Sequence, residues 1–224
     1  MGLFEADHEG NLADVWSKYV VRTFLGSDGR DGDVMVKERF GVRLSFPGDA
    51  DMDVLHPEMD PKRDEMYVRK MLGTTVEEAL GGSYGRRMSL QYRDNEGRPI
   101  DQLAWIVDRL IAKPESKNAC ANLLHPLTSS IERDEGMKRT ACLISIQGLI
   151  RDDQFVLLAN FRSQDAVGSH GNFRGLRQIQ DKLLGQFRGH GVEVTRGQLY
   201  VHVAVAHVYE RDFELARRLH PELP

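Results

Sequence analysis

CLISIQGLIRDDQFVLLANFRSQD, residues 142–165, contains two apolar runs parted by Arg151, Asp152 and Asp153. Residues 142–150 and 154–161 are each of strand length, and so short a polar break between them predicts an antiparallel hairpin. Further on, Leu199, Val201, Val203 and Val205 alternate with Tyr200, His202, Ala204 and Ala206, which predicts a strand over 198–207 whose second face is also mostly apolar. Between hairpin and strand, Leu176, Ile179, Leu183, Leu184 and Phe187 recur at helical spacing and predict a helix over 173–187, ended by Gly189 and Gly191. Strands joined partly by a hairpin and partly across a long helix favour a mixed sheet covered by helices over a doubly wound nucleotide fold.

The flanking text agrees. Leu12, Val15, Trp16, Tyr19, Val20 and Phe24 predict a first helix over 11–25, with Asn11 as its cap. Residues 27–33 read as a turn, 34–46 as extended chain, and 47–61 as an acidic, proline-broken excursion before a helix over 61–72. Leu103, Ile106, Val107, Leu110 and Ile111 mark an amphipathic helix capped by Asp101 and stopped near Pro114. A strand over 119–124, a polar loop over 126–139 and a closing helix over 210–219 complete the pattern. The glycines around Tyr84 (Gly81, Gly82, Gly85) are too tightly spaced for a phosphate loop, and no internal repeat is present.

A chain of 224 residues, 41% hydrophobic and 29% charged, can bury its own core, and a single domain over 1–224 is expected. Its net charge of -4 gives no field for holding nucleic acid, so an anionic ligand must be small and met by local cations. The acidic start lacks the basic and apolar parts of a secretory signal, and no run of roughly twenty apolar residues suits a membrane. Neither of the two cysteines, Cys120 and Cys142, lies in a Cys-x-x-Cys pair or near metal-spaced histidines. The expectation is a cytoplasmic protein with free thiols and no metal, in which Cys120 packs in the core.

Cys142, at the head of a strand, is by itself most simply a small buried hydrophobe. A nucleophilic thiol needs a cation nearby, and Arg162, at the end of the adjoining hairpin strand, could supply one. Arg162 and Ser163 together could clamp an oxyanion, although an ion pair between Arg162 and Asp165 would explain the same residues. His207 and Tyr209, two apart at a strand exit, could share one face and reach a sugar hydroxyl, or could be ordinary edge residues.

In this order and spacing, Cys142 and Gln147, then Arg162, Ser163 and Asp165, Asn172, and Ala206 to Tyr209 resemble the nucleophile-to-sugar segment of thymidylate synthases and related pyrimidine nucleotide hydroxymethylases. Tyr84 with Gly85, Asp101 to Leu103, and Lys113, Pro114 and Ser116 are similar to further elements of the family. The resemblance covers roughly residues 80 to 220 and is greatest to the compact archaeal-type branch. It implies an α/β (α+β) three-layer fold with a large mixed sheet covered by helices, the sheets packing back to back in a homodimer.

The activity implied is folate-dependent C5 methylation of a dUMP-like, uridine-type nucleotide through a Cys142 adduct at C6, with 5,10-methylenetetrahydrofolate or another reduced pterin as one-carbon carrier. On the same basis Arg162 and Ser163 hold phosphate, Asn172 reads the base edge, and His207 and Tyr209 take the sugar hydroxyl. Asp165 orders the water and folate network, Tyr84 assists removal of the C5 proton, and Arg30 is the candidate N-terminal phosphate ligand. The chain also departs from the pattern. Lys117 and Asn118 stand where the family has an arginine pair reaching phosphate across the dimer, Thr140 and Ala141 replace a proline pair, and Phe161 replaces a polar residue. The Asp165-to-Asn172 interval is one residue short, and the catalytic glutamate has only candidates: Glu58, Glu65, Glu77 and Glu78. The alternatives are a C5-hydroxymethylase or specialised-metabolism homologue acting on another pyrimidine nucleotide, a catalytically silent nucleotide binder, and an unrelated cysteine hydrolase pairing Cys142 with His170 or His207.

Overall fold

A computed structural model describes residues 6–74, 84–124 and 140–220. Strand β1 (His8–Glu9) leads into helix α1 (Leu12–Phe24), where the Asn11 side chain accepts from the Asp14 backbone N–H as the expected cap. Strands β2 (Ser27–Asp31) and β3 (Val34–Phe46) follow as an antiparallel ribbon with Asp31 paired to Val34. The turn read over 27–33 is thus confined to the ribbon tip, where Gly32 takes φ 62°. Ser27–Asp31 carries no alternating apolar face, so its extended state comes from pairing with β3 and leaves no trace in local periodicity.

Helix α2 (Pro61–Leu72) starts from Asp60, whose side chain accepts from the Lys62 N–H, with proline in the first turn. A short helix α3 (Tyr84–Ser89) is followed by α4 (Gln102–Ala112), capped by Asp101 through the N–H groups of Leu103 and Ala104. Strand β4 (Cys120–Asn122) lies within the predicted 119–124 stretch. The expected loop over 126–139 lies outside the described residues. Strands β5 (Leu143–Arg151) and β6 (Gln154–Phe161) form the predicted hairpin. Asp152 and Asp153 both have positive φ, 49° and 57°, the backbone that lets a two-residue turn match the strand twist.

Strand β7 (Gln164–Asp165) precedes helix α5 (Ser169–Gly189), which starts four residues before the predicted 173. The early start was hidden because the face turned to α2 is glycine rather than apolar. A Cβ on Gly171 would lie 2.2 Å from the Asp64 carbonyl oxygen, and one on Gly175 2.5 Å from Met71 Cβ. The long strand β8 (Thr195–Tyr209), a 3-10 turn (Glu210–Asp212) and helix α6 (Phe213–Leu219) close the described chain.

The sheet order is β1-β3-β8-β6-β5-β4, with β2 on β3 and β7 on β8. β8 runs antiparallel to β3 but parallel to β6, so the sheet is mixed, as expected. Leu199, Val201 and Val203 face a core of Trp16, Tyr19, Ile106, Phe173 and Leu183 supplied by α1, α4 and α5. On the other face Val156, Leu158 and Tyr200 are half-buried. Among the described residues no helix is long and apolar enough to cross a membrane.

Candidate active site

A cavity of about 890 Å³ opens where the C-terminal ends of β6 and β8, the β2–β3 ribbon and α2, α3 and α5 converge. Cys142 enters it just ahead of β5, and the Arg162 N–H donates to the Cys142 carbonyl at 2.9 Å, tying the two strand ends together. The Arg162 guanidinium donates from Nε to the Ala141 carbonyl and from Nη2 to the Thr140 carbonyl, both at 2.9 Å. Nη2 also lies 3.8 Å from Cys142 Sγ, and the Ser163 hydroxyl donates to that sulfur at 3.5 Å. Nη1 donates to Ser163 Oγ at 3.4 Å, which leaves one Nη1 N–H for an anion.

The alternative ion pair between Arg162 and Asp165 does not form. Asp165 turns instead to α2: its Oδ2 accepts from Arg63 Nη2 at 2.9 Å and from the Tyr67 hydroxyl at 3.2 Å. Oδ1 accepts from the N–H groups of Val167 and Gly168, fixing the turn into α5. Arg63 also forks onto Asp212 at 2.6 and 2.9 Å. Burial works against the Arg63 charge, but Asp212 and Asp165 outweigh it and hold its pKa above the ordinary value. Burial, helped by the Asp165 charge, pushes the Tyr67 hydroxyl well up.

Tyr84 lines the cavity from α3. Burial raises its pKa, with the neighbouring Cys142 adding to the rise, while the backbone N–H groups of Leu143 and Cys142 pull the other way. Asn172 sits in the first turn of α5, 4% exposed, and its Oδ1 has no hydrogen-bond partner among the described residues. A buried orphan acceptor beside a cavity is costly unless a ligand satisfies it. His207 and Tyr209 share the cavity face of β8, their rings edge to face at 4.9 Å. Burial lowers the His207 pKa, against the raising influence of Asp165, Asp31 and Glu38.

Cys142, Tyr84, Arg162, Ser163, Asp165, Asn172, His207, Tyr209 and Arg30 line one cavity. Lys117 does not. It lies ahead of the edge strand β4, where its carbonyl accepts from Gln147 Nε2 at 2.6 Å, so it is absent from the cavity of its own chain. Glu58 and Glu65 pair with Arg218 and Arg69 at the surface, and Glu77 and Glu78 lie outside the described residues. His170 is fully buried against Asp64, away from the cavity, which removes it as a partner for Cys142. Tyr67, Lys70, Asp31, Glu38 and Arg211 also line the cavity, with Arg63 behind Asp165, and none of them was expected from the sequence. Residues 63, 67 and 70 stand at i, i+4 and i+7, so one polar stripe of α2 did carry a signal.

The sequence model of the thymidylate synthase family matches residues 10–221. The chain belongs to that family. It is 26% identical over 219 residues to the "Putative thymidylate synthase" of Methanosarcina mazei, covering 93% of this chain and 91% of that one. With the protein of the same name from Methanosarcina acetivorans the identity is 24% over 159 residues, 70% of this chain and 66% of that one. The thymidylate synthase of Bacillus licheniformis is 23% identical over 136 residues, 60% of this chain and 45% of that protein. Membership of the thymidylate synthase family makes this a one-carbon transferase with a nucleotide substrate and a methylenetetrahydrofolate-type cosubstrate. The cavity volume and the unmet Asn172 acceptor fit a site built for such ligands.

Proposed function

We propose that the chain catalyses folate-dependent C5 methylation of a uridine-type nucleotide, with base chemistry like that of dUMP, through a covalent bond from Cys142 to C6. The observation that carries this reading is the thiol itself, held between the Arg162 guanidinium and the Ser163 hydroxyl inside the cavity. The Cys142 sulfur is the atom that adds to C6, and that addition places the electron pair at C5 and O4. Asn172 Oδ1, an acceptor without a partner, matches the N3–H of uracil. Ser163 and the remaining Nη1 N–H of Arg162 hold phosphate, joined by Arg30 and, across a dimer, by Lys117. His207 and Tyr209 take the sugar. Tyr84, beside Cys142, lies where a proton leaves C5, and Asp165, locked by Arg63 and Tyr67, orders water and the pterin edge.

When bound, 5,10-methylenetetrahydrofolate or a related reduced pterin supplies the one-carbon unit and the hydride that completes a methyl group. Incubation with 5-fluoro-dUMP and methylenetetrahydrofolate should yield a stable adduct, mapped to Cys142 by peptide mass spectrometry. Binding without any adduct would point to a silent nucleotide-binding homologue, and a hydroxymethyl product mass on the natural base to a hydroxymethylase. The protein is read as a cytoplasmic homodimer, because Val156, Leu158 and Tyr200 leave the second sheet face partly apolar. Sedimentation should give a dimer at micromolar concentration; a monomer would count against both the pairing and the role of Lys117.

A further inference from the structure

Asp165 is already supplied with donors from within the protein. Its Oδ1 accepts from the Val167 and Gly168 N–H groups and its Oδ2 from Arg63 and Tyr67, which engages the roughly four acceptor sites of a carboxylate. Arg63 lies behind the carboxylate, whereas Tyr67, one turn further along α2, lines the cavity. The Tyr67 hydroxyl directs its proton at Asp165, so what its oxygen offers a ligand is a lone pair. Burial and the Asp165 charge both oppose ionisation, and the group stays a neutral phenol. Glycines set the ring in place. A Cβ on Gly168 would lie 2.3 Å from Tyr67 Cζ and 2.6 Å from the hydroxyl oxygen, and one on Gly171 2.8 Å from Tyr67 Cβ. A side chain at 168 would therefore displace the phenol from Asp165, and the turn into α5 is shaped around this hydroxyl. Tyr67 is also within electrostatic reach of Tyr84, the neighbour of Cys142, which sets it at the reacting end of the cavity. An acceptor there calls for a ligand N–H. The uracil ring offers one, matched by Asn172 Oδ1, and phosphate is met by cations, but a reduced pterin carries several along its ring edge.

We propose that the Tyr67 hydroxyl oxygen, held in position by Asp165, accepts a hydrogen bond from a ring N–H of the reduced pterin and so helps to select that cosubstrate. The inference rests on the reading of the cavity as a nucleotide and pterin site, and the two can fail separately. The intact Cys142→Ser protein binds without turnover, so it can be saturated with dUMP and titrated calorimetrically with 5,10-methylenetetrahydrofolate. Adding Tyr67→Phe keeps the ring on its glycine seat and leaves Arg63 on Asp165. It should weaken methylenetetrahydrofolate about three- to tenfold, the scale of one neutral hydrogen bond, and leave dUMP within about twofold. A crystal structure of Cys142→Ser with both ligands should place a pterin nitrogen within about 3.2 Å of the Tyr67 oxygen. Unchanged cosubstrate affinity, an equal loss for dUMP, or a pterin whose N–H groups all bond elsewhere would overturn the role of Tyr67 alone. Failure of the Cys142→Ser protein itself to bind methylenetetrahydrofolate, or to bind dUMP, would overturn it together with the reading of the cavity.

Discussion

Cys142→Ser is expected to lower turnover by at least ~10⁴-fold, the scale on which loss of a covalent nucleophile is felt. Nucleotide affinity should change by less than about threefold, because phosphate and base contacts lie on other residues and the exchange barely alters volume. The reason is chemical. A serine hydroxyl between Arg162 and Ser163 remains protonated at neutral pH and cannot add to C6 as a thiolate does. Release of label from C5 of the nucleotide and the fluorinated adduct both report the step directly. Retention of either above a hundredth of the wild-type level would remove Cys142 as nucleophile.

Asp64→Ala is the substitution expected to cost most stability, about 3–5 kcal/mol, because it strips the buried His170 and the half-buried Arg174 of their shared counter-group. The carboxylate, 1% exposed on α2, meets His170 Nδ1 at 2.6 Å and Arg174 Nη1, both on α5. For a chain of this size that loss corresponds to a fall of about 10 °C in Tm, measurable by calorimetry. Burial alone would raise the Asp64 pKa, but His170 and Arg174 more than reverse this and hold it below the ordinary 3.8. A depressed carboxyl pKa contributes stability above the unfolded value and loses it as pH falls through the folded value. The stability gap between wild type and Asp64→Asn should therefore be full at neutral pH and shrink below about pH 4. A gap that widened in acid would contradict this assignment.

The parts of the fold that could be read directly are those whose burial is periodic. Leu199, Val201 and Val203 on β8, and Leu103, Ile106 and Leu110 on α4, announce their elements because water is excluded from one face only. Ser27–Asp31 escaped because both its faces are polar and only its partner makes it a strand. The first turn of α5 escaped because glycines permit a close approach without any apolar signature. Among site residues, Cys142, Arg162, Ser163, Asn172, His207 and Tyr209 were singled out only because their joint order and spacing resemble the family's; taken one by one they read as ordinary core or edge residues. Tyr67, Asp31 and Glu38, and Arg63 behind Asp165, were not, being ordinary charged or aromatic residues until α2 and the β2–β3 ribbon fold over the sheet.

By itself the sequence determined a mixed sheet with helices on it and a thiol near an arginine, because local periodicity and chain order persist whatever the tertiary arrangement. Only the tertiary structure decided which charges meet. It took Asp165 from Arg162 and gave it to Arg63, left the Asn172 acceptor unmet, and set Asp31 against the Tyr209 hydroxyl. Pairings of this kind join residues up to 178 positions apart, and their energies depend on distance and burial, which chain order does not encode.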